Sequence, residues 1–319
     1  MTTEHAERKD TAWSVVAVTG ATGKQGGATA RRLLAAGRPV RALVRDPAAP
    51  AAVALAEAGA ELAVADIDHP ASLGPALAGA GALFVVPPVA YGSTGLDEEL
   101  EFGRGRSLAD AAAHAGIRQV VFTGVAPTTG TAFAAPGKRR TEEYLRERIE
   151  RVTVLRPVRF MTNYLGVAGI GFDGFTDGVH RHLFAPDQPL QMIALEDIAE
   201  FAALAFERPE RFAGLTLDLA GDAPTPVEAV AVIGAATGRT LRYERIGHDQ
   251  AAALHPGFAE VRRQWAEGHR WRVDIEALRA LHPGLRSLGD WLAEGGAAAL
   301  RARFDAADAV DAAAAARAA

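Results

Sequence analysis

An α/β fold with a doubly wound parallel sheet is expected of this chain on three grounds. Short apolar runs alternate with helical segments through its first half. The first run, Val15-Val16-Ala17-Val18, leads straight into glycines at 20, 23 and 26 and then into an alanine-rich helical stretch. Past Pro157 the alternation loosens into a smaller mixed α/β region. Parallel strands joined by helices cross over right-handed, which stacks them into one sheet covered on both faces.

The spacing predicts strands at 15–19, 40–44, 61–65, 83–86, 119–122 and 152–155. Helices are expected between them at 25–36, 49–58, 70–78, 98–115 and 139–148. Residues 166–189, rich in Gly, Phe, His and Asp, read as an irregular segment over a cleft. A helix over 195–207 opens with Glu196 and Asp197, acidic residues suited to its first turn. Strands at 215–220 and 241–246 and helices at 226–237, 251–267, 274–281 and 288–300 complete the pattern. Residues 1–12 are expected to be disordered, 13–157 to form the sheet domain and 158–300 a substrate region, part of which returns to the sheet. The alanine-rich tail, 301–319, reads as a frayed helix or disorder, with no function assigned.

Composition narrows the partners. A chain of 319 residues with 49% hydrophobic content can bury a real core. A net charge of −5 without long runs of one sign argues against nucleic acid or an anionic membrane as partner. No apolar stretch reaches about 18 residues, so no membrane span is expected. The first residues carry no apolar signal core, and a cytoplasmic location is the default. The absence of cysteine excludes disulfides, thiolate nucleophiles and Cys-ligated metals. The chain has three lysines, Lys9, Lys24 and Lys138. Two of them fall where a nucleotide site would use them.

The strand–glycine turn–helix is the element that binds the pyrophosphate of a dinucleotide. Gly20 permits a tight turn, Gly23 the approach of backbone N–H groups to phosphate, and Gly26 close helix–strand packing. Thr22, Lys24 and Gln25 lie within the same loop. The end of the second strand separates NAD from NADP. Arg45 follows it, about 20 residues beyond the glycines, where an acidic residue would bind a ribose 2′-hydroxyl. A guanidinium there suits a 2′-phosphate, and the expectation is NADP(H) over NAD(H). Asp46 is the counter-reading: facing the ribose, it would select NAD. Asp66 and Ile67, after the third strand, are placed for adenine, or Asp66 forms a turn. Val86 and Pro87 end the fourth strand on the nicotinamide-ribose side.

These motifs resemble the atypical short-chain dehydrogenase/reductases. The wider set resembles the NmrA-like family: Thr19 to Gly26, Val44-Arg45-Asp46-Pro47, Lys138 with Glu142-Glu143-Tyr144, Leu155-Arg156-Pro157 with Phe160 and Asn163, and Leu195-Glu196-Asp197-Ile198-Ala199. Asp274-Ile275-Glu276-Ala277-Leu278, Pro283-Gly284 and Trp291 add to it. The resemblance covers about residues 13 to 295. It implies a Rossmann fold, a cofactor contact at Phe160, and either reductases of small aromatic metabolites and quinones or NADP-sensing regulators without turnover.

Short-chain reductases pair a proton-donating tyrosine with a lysine four residues later. With Lys138 as that lysine, the partner position holds Ala134, so the donor is missing. Tyr144, six residues along a helix, lies about 240° around the axis. Lys138 is the foremost catalytic candidate, as ribose anchor or proton donor, against a surface lysine at a helix start. Thr123, at the end of the fifth strand, either orients a carbonyl or is a strand-end threonine. Tyr91, Asn163 and Tyr164 are expected to border the substrate. His180 and His182 are read as falling on opposite sides of an extended segment with no carboxylate to complete a metal set, and no metal is expected. The resulting expectation is an NADPH-dependent reductase of a small apolar carbonyl, quinone or imine. The alternatives are a non-catalytic sensor contacting a regulatory protein, and a lyase or isomerase that uses bound nucleotide structurally.

Overall fold

The computed structural model describes residues 14–87, 91–92, 95–131, 134–166 and 173–318. The chain divides into two compact units. One comprises Met1–Ala126, Phe133–Pro157 and Leu195–Leu219; the other Pro127–Ala132, Val158–Ala194 and Ala220–Ala319.

The first unit is built on a seven-stranded sheet. Its elements run β1 (Val16–Val18), α1 (Lys24–Ala35), β2 (Val40–Val44), α2 (Pro50–Glu57), β3 (Glu61–Val64), α3 (Leu73–Leu77) and β4 (Ala82–Val85). A short antiparallel pair, β5 (Tyr91–Gly92) and β6 (Gly95–Leu96), precedes α4 (Glu98–His114), β7 (Gln119–Thr123), α5 (Pro136–Arg148) and β8 (Arg151–Pro157). The chain re-enters with α6 (Leu195–Glu207), α7 (Pro209–Phe212) and β12 (Thr216–Leu219). The strand order is β12-β8-β7-β4-β1-β2-β3, and every pairing is parallel. Strand order therefore reverses between β1 and β4, and the crevice at their carboxyl ends is where such sheets bind ligands. Helices cover both faces, so β1, β4 and most of β7 are buried throughout and read as unbroken apolar runs.

Helix α1 begins at Gly23 with no side-chain cap, leaving its first N–H groups without an intrahelical acceptor. It packs on α6, where Ile198, Phe201, Ala202 and Ala205 recur at helical spacing. Arg32 of α1 pairs with Glu200 of α6 at 2.7 Å. Helix α5 opens at Pro136, after Ala135 in a left-handed conformation (φ 45°), three residues earlier than expected.

The second unit holds two parallel pairs, β9 (Arg159–Phe160) with β11 (Met192–Ile193) and β10 (Val179–His182) with β13 (Arg242–Arg245). Strand β10 lies inside the stretch expected to be irregular. Helix α8 (Pro226–Thr237) starts with a Thr225–Glu228 capping box and ends at Gly238 in the left-handed region. The single helix expected over 251–267 is two, α9 (His248–Leu254) and α10 (Pro256–Ala266). Pro256 lacks the N–H that a continuous helix needs. After α11 (Ile275–Leu281), α12 (Leu288–Trp291) and α13 (Ala297–Ala318) are joined by a π-turn over Leu292–Gly296. Helix α13 carries Leu300, fully buried, into a core with Met161, Tyr164, Met192, Ile233 and Trp291.

Candidate functional site

The glycine loop closes as a turn that only small residues permit. Gly20 sits at φ +58°, and the Gly23 N–H donates to the Gly20 carbonyl at 2.9 Å. A Cβ at Gly26 would lie 2.7 Å from the Thr19 carbonyl oxygen and 2.6 Å from the Gly20 carbonyl carbon, so α1 rests directly on the loop. Thr19 fixes the other side: its Oγ1 accepts from the Val86 N–H at 2.9 Å, tying β1 to the end of β4.

Beyond the loop lies a cavity of about 470 Å³. Thr22, Lys24 and Gln25 line it from the loop, Arg45 from the end of β2, Asp66, Ile67 and Asp68 from the end of β3, and Val86 from the end of β4. It has the features a dinucleotide needs: uncapped N–H donors, a loop without Cβ obstruction, and cations beside them. The buried Gln25 Oε1 has no hydrogen-bond partner among the described residues.

Two aspartates are already engaged by their own turns. The Asp46 Oδ1 accepts from the Ala48 N–H at 2.8 Å, and Asp46 is not among the cavity-lining residues, whereas Arg45 is. The Asp66 Oδ1 accepts from the Asp68 N–H at 3.0 Å, and its Oδ2 meets His69 Nδ1 at 3.1 Å. Those two hydrogen bonds, with a smaller contribution from Arg45, hold the Asp66 carboxyl below its ordinary range. Asp66 thus makes the turn and lines the cavity as well.

Arg104 was not anticipated from sequence. It reaches the cavity from α4, with Leu108 one turn later, and holds Asp68 bidentately at 2.7 and 2.8 Å. Its signal was an arginine at i and a leucine at i+4 on a helix that packs on the sheet.

Both catalytic candidates are engaged by neighbouring elements. Lys138 is buried, not a surface residue, and its ammonium is paired with the Glu101 carboxylate of α4. It is not among the cavity-lining residues. Ala134 lies ahead of α5 rather than on it, so no helical tyrosine–lysine face exists at that position. Thr123 is 1% exposed and its hydroxyl donates to the Val85 carbonyl at 3.1 Å, linking β7 to β4, which is the strand-end reading. Tyr144 donates to Asp110 at 2.8 Å under the Arg148 guanidinium. Pro87 is buried and does not line the cavity. Tyr91 lies in β5, and its side chain is outside what is described.

The remaining candidates belong to the second unit. Phe160 is half-buried in β9, and Asn163 half-buried in the turn that follows. Tyr164 corrects the expectation of a substrate-bordering residue: it is 1% exposed, beneath the Arg159 guanidinium at 4.4 Å and against Phe175 and His180. His180 and His182 also correct theirs. Residues two apart in a strand share a face, and their rings lie 5.7 Å apart on β10. A carboxylate does accompany them: Asp173 Oδ1 is 3.1 Å from His182 Nε2 and also pairs with Arg159. Burial lowers the pKa of both histidines, His180 to about 3. Its Nδ1–H donates to the Gly174 carbonyl at 2.8 Å. Among the described residues no group of three or more His, Cys, Asp or Glu is arranged to hold a metal ion. No helix among them is long and apolar enough to cross a membrane.

Comparison with known proteins gives concordant results. The model of the NmrA-like family matches residues 13–267. The NmrA-like family domain-containing oxidoreductase FrzB of Cladobotryum sp. is 31% identical over 262 residues, covering 73% of this chain and 76% of that protein. The crystal structure of Citrobacter sp. triphenylmethane reductase complexed with NADP(H) superposes with a TM-score of 0.70 at 21% identity, covering 88% of this chain and 99% of that one. NmrA, a negative transcriptional regulator, in complex with NADP gives 0.70 at 20% identity over 88% and 94%. At these identities the solved structures speak for the fold alone.

Proposed function

The chain belongs to the NmrA-like family, and on that footing we propose that it binds NADP(H) in preference to NAD(H) and reduces a small apolar carbonyl, quinone or imine. The observation that carries the cofactor reading is the division of labour at the end of β2. Arg45 lines the cavity while Asp46 is taken up by its own turn. A 2′-phosphate bears about −1.5 to −2 charges, which a guanidinium matches and a carboxylate repels. In this reading the loop from Gly20 to Gly26 and the N-terminus of α1 hold the pyrophosphate. Asp66 and Ile67 border the adenine, and Lys24 adds positive charge.

The cofactor, when bound, supplies a hydride. The chain itself offers no tyrosine at position 134, and Lys138 is held by Glu101. A quinone suits such a site, because its reduced anion takes its protons from water. The same two features favour a second reading, an NADP(H) sensor without turnover that contacts a regulatory protein. Steady-state NADPH oxidation against a panel of quinones, carbonyls and imines separates them. Turnover with at least one acceptor, and slower turnover with NADH, is expected. Tight NADP binding with no turnover on any acceptor would leave the sensor.

A further inference from the structure

The cavity carries a charged pair that the cofactor reading does not use. Asp68 and Arg104 both line it, and they are joined by two parallel hydrogen bonds, Nε to Oδ1 at 2.7 Å and Nη2 to Oδ2 at 2.8 Å. Arg104 is held firmly, its side chain 18% exposed, while Asp68 remains 45% exposed. Asp68 belongs to the same turn as Asp66, through the bond from its N–H to the Asp66 carboxylate, and Asp66 in turn senses Arg45. Arg45, Asp66, Asp68 and Arg104 therefore form one linked group of charges in the cavity wall. Without Arg104 that wall would present two carboxylates against one arginine.

We propose that Arg104 determines dinucleotide specificity by acting through Asp68: its fork cancels the Asp68 charge so that this wall accepts a 2′-phosphate beside Arg45. The inference rests on the NADP(H) reading above. Arg104 is a positioning and charge-balancing residue here, not a group that reacts. A bidentate guanidinium suits the task, since it fixes both carboxylate oxygens. An uncompensated carboxylate near a phosphate repels it across a partly screened path, an effect of about 5- to 10-fold in affinity.

The test is calorimetric titration of NADP and NAD into the wild type, Arg104→Ala, Asp68→Asn and the double variant. Arg104→Ala should weaken NADP by about 5- to 10-fold while NAD changes less than about twofold, and roughly 1 M salt should shrink the difference. Asp68→Asn, which keeps the local geometry and leaves Arg104 uncancelled, should bind NADP at least as well as wild type. The double variant should return to near wild-type NADP affinity. Equal losses for both nucleotides in Arg104→Ala, or a double variant as weak as the single, overturns the proposal. Wild-type protein that binds neither nucleotide overturns the cofactor reading along with it. Wild-type binding with an unaffected Arg104→Ala overturns the role of Arg104 alone.

Discussion

Arg104–Asp68 and Arg159–Asp173 are the same pair of side chains in two settings. The first stands at the wall of the cavity, 18% and 45% exposed; the second is sealed in the other unit, 4% and 7% exposed. Solvent screens the first, so its charge balance can be altered without loss of the fold. The second is surrounded by Tyr164, His180 and His182, and removal of either partner strands a charge in a place water does not reach. Burial, more than residue type, separates a group that tunes a ligand from one that holds a domain together.

The largest effect that would break this comparison is in the buried pair. Asp173→Asn leaves Arg159 uncompensated and should cost about 3–5 kcal/mol in urea unfolding. A loss under about 1 kcal/mol would make the two settings equivalent. Next comes pH. His180 stays neutral in the fold down to about pH 3, because burial, then Arg159 and His182, oppose its charge. The unfolded chain protonates it near pH 6.5. Its contribution is therefore complete above about pH 6.5 and drains as pH falls from there toward 3. Burial pushes the Asp173 carboxyl up, but Arg159 and His182 outweigh it and leave it below the usual carboxylate range, so its loss comes in more acid. Urea midpoints should fall between about pH 7.5 and 5, and less so in His180→Gln. An unchanged slope in that variant removes His180 from the account.

In the first unit the effects are smaller. Gly26→Ala pushes α1 off the loop and should cost about 1–3 kcal/mol of stability together with nucleotide affinity. Normal NADP titration by that variant would show that the contact yields. Arg45→Ala should weaken NADP about 10-fold and leave NAD nearly unchanged, an exposed charge-assisted contact being at the low end of its range. An unaltered preference takes Arg45 out of the cofactor reading. Thr123→Val should lose about 1 kcal/mol, the worth of its bond to Val85, with turnover retained. A well-folded variant with a collapsed kcat would return Thr123 to the chemistry.

What could be read from sequence was what is local. The ends of β2 and α6 fall where apolar runs and acidic first-turn residues put them. The glycine loop and Arg45 are close in sequence to the strands that position them. Arg104 was missed because its partner lies 36 residues earlier, and Glu101 because its partner lies 37 residues later. Nothing in a helix's own pattern names such partners. Strand β10 was hidden because its apolar and polar residues do not alternate: His180 and His182 are buried with the aromatics, and no composition rule expects two neutral histidines inside a core. Ala134 is legible by its spacing from Lys138, but the left-handed Ala135 that sets it ahead of the helix is not, because no propensity marks an alanine for positive φ.

The return of the chain to the sheet has a consequence for how this protein is made. Strand β8 ends at Pro157, and its outer partner β12 pairs Thr216 with Val154 only after the chain has left the unit and come back. On the ribosome β8 emerges first, with one row of N–H and C=O groups unmatched, and waits for roughly five dozen residues to follow. Helix α6, which covers α1, arrives in the same late instalment. The seven-stranded sheet is thus completed only by the returning segment Leu195–Leu219. A fragment cut at Pro157 would have a sheet with an open edge and an uncovered helix, and a well-folded fragment of this unit must carry the return segment with it.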